Sequence, residues 1–138
     1  MSSPILRRAS DLLHPLLLFF ALYLVVAGHD EPGGGFAGGL VAGASYALCA
    51  LAHGAGEGRR RLPGSPLRLL ASGLGAAVLA AAAPVAVGRP LLTALWLDVR
   101  LPAGLAVKAG TPYLFEAGVF LTVVGAVLTV VFGLMEEG

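Results

Sequence analysis

Charge is scarce in this chain, and that scarcity is the first constraint on what it can be. Only 12% of its 138 residues are charged, while 57% are hydrophobic and the mean hydropathy is +0.87. A water-facing domain carries about 25% charged residues, so a soluble globular protein is excluded. Cysteine is nearly absent as well. Cys49 is alone and lies in an apolar run, which rules out an intramolecular disulfide or a cysteine-based zinc site and makes it a small buried hydrophobe. The strict apolar/polar alternation of a membrane barrel is missing, which leaves helices as the way to satisfy backbone groups in lipid. No segment suggests a separate soluble domain or a linker.

What is present is four long apolar runs, at about 12–28, 36–53, 69–88 and 112–135, separated by clusters of charge. Each approaches the roughly 20 residues needed to cross a 30 Å hydrocarbon core. The expected fold is an all-α integral membrane protein, a single domain of four transmembrane helices over residues 1–138. The first run is the weakest, because His14 and Pro15 shorten its clean apolar portion. Arg7 and Arg8, the run itself and "VVAG" also fit a secretory signal peptide; we count the run as a helix. Arginine placement sets the expected orientation. Arg7, Arg8, Arg59, Arg60, Arg61 and Arg68 fall on one side, against Arg89, Arg100 and Lys108 on the other. Both termini and the RRR loop are therefore expected in the cytoplasm, with RRR a topology signal rather than a nucleic-acid patch. The long outer loop holds "LLTALWLDVRLP", where Trp96 is expected at the membrane interface in a short helix.

The polar and glycine-rich residues carry whatever chemistry there is. "HDEPGGGFAGG" (29–39) lacks the GK[ST] ending of a P-loop, and no strand precedes it, so nucleotide binding is discounted. His29, Asp30 and Glu31 are ligand types, but three adjacent residues rarely converge on one ion; a solvated loop is expected, with no metal and no cofactor. Gly35, Gly39, Gly43 and Ala47 recur every four residues and give the second helix a small-residue face for close packing. Gly118, Thr122, Gly125, Thr129 and Gly133 make a similar face on the fourth, with hydroxyls able to bond across an interface or back to their own helix. Glu116 is the one carboxylate inside a proposed span, and such groups mark polar pathways or buried pairs. If Thr111 caps that helix and Pro112 begins it, Glu116 sits only about 6 Å along the axis and about 160° from the glycine–threonine face. Both an interfacial structural role and a polar pathway or subunit contact stay open. His14 and His53 stand near the cytoplasmic ends of their helices as interfacial polar groups or proton carriers, and Pro84 is expected to kink the third helix.

"GHDEPGGGFAGGLVAGA" resembles the signature of the MnhB/MrpB subunit family of multisubunit Na+/H+ antiporters, the Mrp or Mnh complex, written like GHNxPGGGFxGGL. "TPYLFEAGVFLTVVGAVLTVV" is similar to that family's TSxLFDxGVYLxVVGxxLT. The resemblance covers nearly the whole chain. Glu116 stands where the family commonly has Asp, and Asp30 and Glu31 replace its usual Asn and variable residue, making the outer loop acidic. The resemblance implies a small, non-enzymatic subunit of a cell-membrane assembly that exchanges cytoplasmic Na+ for external H+, needed for assembly and contributing to the ion pathway. Its implied partners are the large antiporter-like subunits and membrane lipid, with no nucleic acid. Pro32, Gly33, Gly34 and Gly35 would shape the corner, Phe36 would anchor the start of the second helix, and Glu116, His29, Asp30, Thr122 and Thr129 are the candidate polar contacts. One alternative is a subunit of an antiporter-like module in a membrane-bound hydrogenase. Another is an autonomous homodimeric transporter; the small multidrug exporters need a central carboxylate in their first helix, where this chain has only Asp11, at the edge.

Overall fold

The computed structural model describes residues 3–27 and 34–137. Pro32, Gly33, His29 and Asp30 therefore lie outside the described residues, as does Glu31. Helix α1 (Pro4–Ala27) is followed by α2 (Gly34–His53), a short α3 (Ala55–Arg61) and α4 (Pro66–Ala86). Two strands, β1 (Trp96–Arg100) and β2 (Ala106–Gly110), then lead into α5 (Thr111–Glu137). Helices α1, α2, α4 and α5 are each long and apolar enough to cross a membrane, as the hydropathy pattern predicts.

Helix α1 begins eight residues earlier than the apolar run suggests. The Ser3 hydroxyl accepts the Leu6 N–H at 2.9 Å, capping a helix whose first position is Pro4. The helix continues through Pro15, which has no N–H to give the preceding turn. Helix α4 starts in the same manner, with the Ser65 hydroxyl accepting the Arg68 N–H at 3.1 Å and Pro66 in its first turn. Gly54, at φ 99°, supplies the left-handed break between α2 and α3 that a side chain would resist. Pro84 stands in the last turn of α4, which ends two residues later. Its carbonyl takes up the N–H groups of Val87 and Arg89, so it marks the end of the helix.

The outer loop corrects an expectation. Trp96 lies on an antiparallel hairpin, paired from Trp96 with Gly110 to Arg100 with Ala106, and not in a short helix. The reason is visible in "LDVR" (97–100), which alternates apolar with polar residues at the period of a strand. Pro102, Ala103 and Gly104 then turn the chain, closed by the Leu101 N–H donating to the Leu105 carbonyl at 2.7 Å. The Thr111 hydroxyl accepts the Leu95 N–H at 3.0 Å, tying the hairpin to the start of α5. Trp96 meets Tyr113 edge-to-face, with ring centroids 5.6 Å apart.

The four long helices stand in a row, α1 on α2, α2 on α5, and α5 on α4. Half of the apolar window of α2 is buried, against 11% for α1, which makes α2 an inner helix and α1 an edge. Chain direction and ion pairs put the start of α1, the end of α5, α3 and the α2 C-terminus at one end, and the hairpin at the other. Phe132 and Leu128, both fully buried, anchor the core near the termini, with Ala42, Ala50 and Val124 beside them.

Candidate functional site

At the hairpin end, the two glycine- and acid-bearing segments meet. The Glu116 carboxylate, one turn into α5, accepts the backbone N–H of Gly35 in the first turn of α2. The first N–H groups of a helix have no partner within it, and a carboxylate there also meets the positive end of the helix dipole. Gly35 is fully buried, and a Cβ on it would fall within 2.6 Å of Glu116 Oε2 and closer still to the Glu116 carbonyl. Only glycine lets the carboxylate reach this backbone. Gly34 opens α2 next to it. Phe36 is 53% exposed.

The small-residue faces find their partners inside the chain. A Cβ on Gly39 would lie 2.7 Å from Val123 Cβ, and one on Gly43 3.1 Å from Val127 Cγ1, so this face of α2 rests on α5. Gly118 and Gly125 face the other way. Their added Cβ atoms would lie 2.6 Å from the Ala77 nitrogen and the Pro66 carbonyl, both on α4. Gly73 of α4 approaches Thr122 and Gly118 in return. The Thr122 and Thr129 hydroxyls donate to carbonyls of their own helix, Gly118 at 2.7 Å and Gly125 at 2.6 Å. Gly133 has open space around it and takes no part.

A third seam, between α1 and α2, has a weaker sequence signal, a second small face on α2 made by Gly38, Ala42, Ser45 and Cys49. All four are buried. Gly38 meets Ala21 and Val25 of α1. Ser45, fully buried, lies 2.6 Å from His14 Nδ1, and its hydroxyl is also 3.2 Å from the His14 carbonyl, to which it donates. The His14 ring stands edge-on to Tyr46. Toward the termini, His53 Nε2 lies 2.8 Å from Asp11 Oδ1.

The RRR segment makes ion pairs with other elements of the chain. Arg59 grips Glu136 with two hydrogen bonds, of 2.6 and 3.0 Å, while its guanidinium sits 5.0 Å from the centre of the Phe132 ring. Arg60 and Arg61 bind Glu57, and Arg61 also reaches Asp11 at 3.4 Å. These bonds, that to Arg60 first, hold the Glu57 carboxyl below its ordinary range. A short arginine helix thus fastens the ends of α1 and α5 to α2. No group of three or more His, Cys, Asp or Glu able to hold a metal occurs among the described residues.

Residues 5–129 match the family model described as a domain related to the MnhB subunit of Na+/H+ antiporter. The chain belongs to the MnhB family. It is 35% identical over 133 residues to the B-type Na+/H+ antiporter subunit of Bacillus subtilis, covering 96% of this chain and 93% of that one. It is 35% identical over 130 residues to antiporter subunit mnhB2 of Staphylococcus epidermidis, covering 94% and 92%. Among solved structures, the Mrp complex of a Dietzia species contains a chain that matches with a TM-score of 0.70 and 29% identity. That match takes in 98% of this MnhB chain but only 15% of the Dietzia chain, a far longer polypeptide. The family is one of membrane transporter subunits; Gly35 and Glu116 join the two segments that carry the resemblance.

Proposed function

We propose that this chain serves as the B-type subunit of a multisubunit Na+/H+ antiporter, a transporter component with no catalytic activity of its own. Its work is to hold the complex together and to border the ion path, while Na+ and H+ cross at the level of the whole assembly. The observation that carries this reading is the bond between the Glu116 carboxylate and the Gly35 N–H. The two segments that resemble the family's motifs are far apart in sequence, yet they form one polar corner at the hairpin end. One carboxylate, Glu116, and no lysine inside the four apolar runs make a poor self-sufficient antiporter, which supports dependence on larger antiporter-like subunits. The single-row arrangement supports it too, since both broad faces are left for neighbouring subunits and lipid. The arginines at the termini end favour a cytoplasmic location for both termini in the cell membrane.

Affinity purification in mild detergent should bring down large antiporter-like subunits with this chain; isolation as a transport-competent homodimer would overturn the reading. Within the assembled complex, Glu116→Gln keeps an acceptor for Gly35 but removes the charge. Assembly should persist while Na+-dependent proton exchange in vesicles falls. Comparable assembly with unchanged exchange takes Glu116 off the ion path.

A further inference from the structure

The α1–α2 seam differs chemically from the other two interhelical seams. Between α2 and α5, and between α5 and α4, glycines meet valines, phenylalanine and backbone, apart from the Glu116 carboxylate on Gly35 at the hairpin end, and the threonine hydroxyls there are satisfied by their own helix. Between α1 and α2 the polar groups come in a series. Asp11 and His53 face each other at the termini end, and His14 and Ser45 face each other further in. Ser45 stands eight residues from the end of α2, so the series reaches about 12 Å inward. Ser10 of α1 adjoins Asp11 and stands one helical turn from His14, and Cys49 of α2 falls between Ser45 and His53; both are fully buried.

The Ser10 hydroxyl is the decisive atom, since it is completely buried and has no hydrogen-bond partner among the described residues. A buried hydroxyl left unmatched is costly, and alanine would fill the position without that cost. Such groups are normally satisfied by internal water. The mouth of the series is open. Arg7, Arg8, Asp11 and His53 line a concavity of about 320 Å³ with Pro4. Every polar member of the series (carboxylate, imidazole, hydroxyl, thiol) is a group through which protons can pass.

We propose that the α1–α2 seam is a water-assisted proton relay running between the Asp11–His53 mouth and His14. The proposal rests on the reading of this chain as an antiporter subunit. A proton taken from bulk water binds the Asp11–His53 pair, moves along water held at the Ser10 hydroxyl, and protonates one ring nitrogen of His14. Ser45 holds Nδ1, so His14 takes up this proton at Nε2 and gives it up from the same nitrogen to a titratable side chain of an adjoining subunit, and the reverse sequence carries protons outward. Nothing is oxidised or reduced, and one proton leaves for each that enters. His14 is only partly buried, so its ring is not sealed from a neighbour. The groups that bias it are Asp11 on its own helix, Ser45, Tyr46 and Cys49 on α2, and Arg61 on α3. Arg7, Arg8 and Glu57 surround the mouth.

The test uses the whole complex in inverted membrane vesicles, reading Na+-dependent proton movement across a range of pH. His14→Gln keeps a hydrogen-bonding group against Ser45 but cannot carry a proton. It should leave complex yield unchanged and slow exchange by roughly tenfold or more. Ser45→Ala leaves His14 able to titrate in a changed setting and should move the pH optimum, which lost packing alone would not do. Exchange by the His14→Gln complex at the wild-type rate and with the wild-type pH profile overturns the relay. If His14→Gln fails to assemble, the Ser45→Ala profile decides: an unmoved optimum overturns the relay. Failure of the unmodified chain to co-purify with other antiporter subunits refutes the subunit reading instead.

Discussion

The two seams that flank α2 are built on opposite principles, although both rest on small residues. On the α5 side, Gly39 and Gly43 remove side chains so that backbone and apolar side chains come into direct contact, and Gly35 lets the Glu116 carboxylate reach the backbone. In lipid, where no hydrophobic drive separates helix from solvent, this close approach supplies the association energy through dispersion. On the α1 side, Gly38 and Ala42 act in the same way near the middle, but Ser45, Cys49 and His53 bring polar groups toward the termini. A glycine seam tolerates no added atom, whereas a polar seam tolerates changes of size better than changes of chemistry. Helix α2 therefore carries a rigid face and a chemical face about one helix width apart.

The largest effect should come from filling a glycine seam where backbone faces backbone. Gly125→Leu would put a Cβ within 2.6 Å of the Pro66 carbonyl, and the rest of the side chain has nowhere to go. Overpacking costs about 1–3 kcal/mol where side chains can yield, and more where a main chain must move. Loss of folded protein and of complex is the expected result, measured as yield after detergent extraction. Normal yield would mean that α4 and α5 do not pack as described. Gly39→Leu meets the Val123 side chain first, at 2.7 Å, and should impair assembly less severely, within that same range of about 1–3 kcal/mol. Equal damage from both substitutions would remove the distinction between backbone-limited and side-chain-limited seams.

Much of this comparison is legible in the sequence, and the limits have physical causes. Hydropathy locates the four spans because lipid solvation acts on each helix separately. The four-residue recurrence of glycine announces close packing but does not say against what, because a small face fits any partner. The start of α1 is hidden by Arg7, Arg8 and Asp11, which break the apolar run without breaking the helix. The hairpin is written in the alternation of "LDVR", yet a single tryptophan beside a membrane span draws the reading toward an interfacial helix. The contact between Glu116 and Gly35 spans 81 residues of sequence, and nothing local in either segment points to the other. The polar face of α2 is hidden for a different reason: serine and cysteine read as small residues until their neighbours across the seam are known.

A smaller change probes the polar seam without adding bulk. Ser10→Ala removes one buried, unpartnered oxygen and no packing. In a dry seam this deletion stabilises the protein by about 1 kcal/mol, because the desolvated hydroxyl was a cost. With water bound there, the deletion also removes that water's partner, and stability should stay the same or fall by about 0.5–1.5 kcal/mol. Thermal unfolding of the detergent-solubilised complex separates the two signs. A clear rise in unfolding temperature would place the α1–α2 seam with the dry ones.

The smallest effect expected is at α3, which binds the helix ends through exposed charges. Arg60 and Arg61 keep the Glu57 carboxyl below the 4.5 of a free glutamate, so folding is favoured by its ionised form. That contribution is fully present above pH 4.5 and fades as pH falls through the depressed value, while both arginines stay charged throughout. Glu57 is solvent-screened, and exposed pairs of this kind contribute little. Backbone amide exchange should therefore quicken in α3 between about pH 5 and pH 3, after correction for intrinsic rates, with α2 and α5 unaffected. Glu57→Gln should remove that pH dependence and leave the glycine seams intact. If protection were lost from α2 and α5 together with α3, the arginine helix would be holding the whole row in register, and rigidity could no longer be assigned to the glycine faces alone.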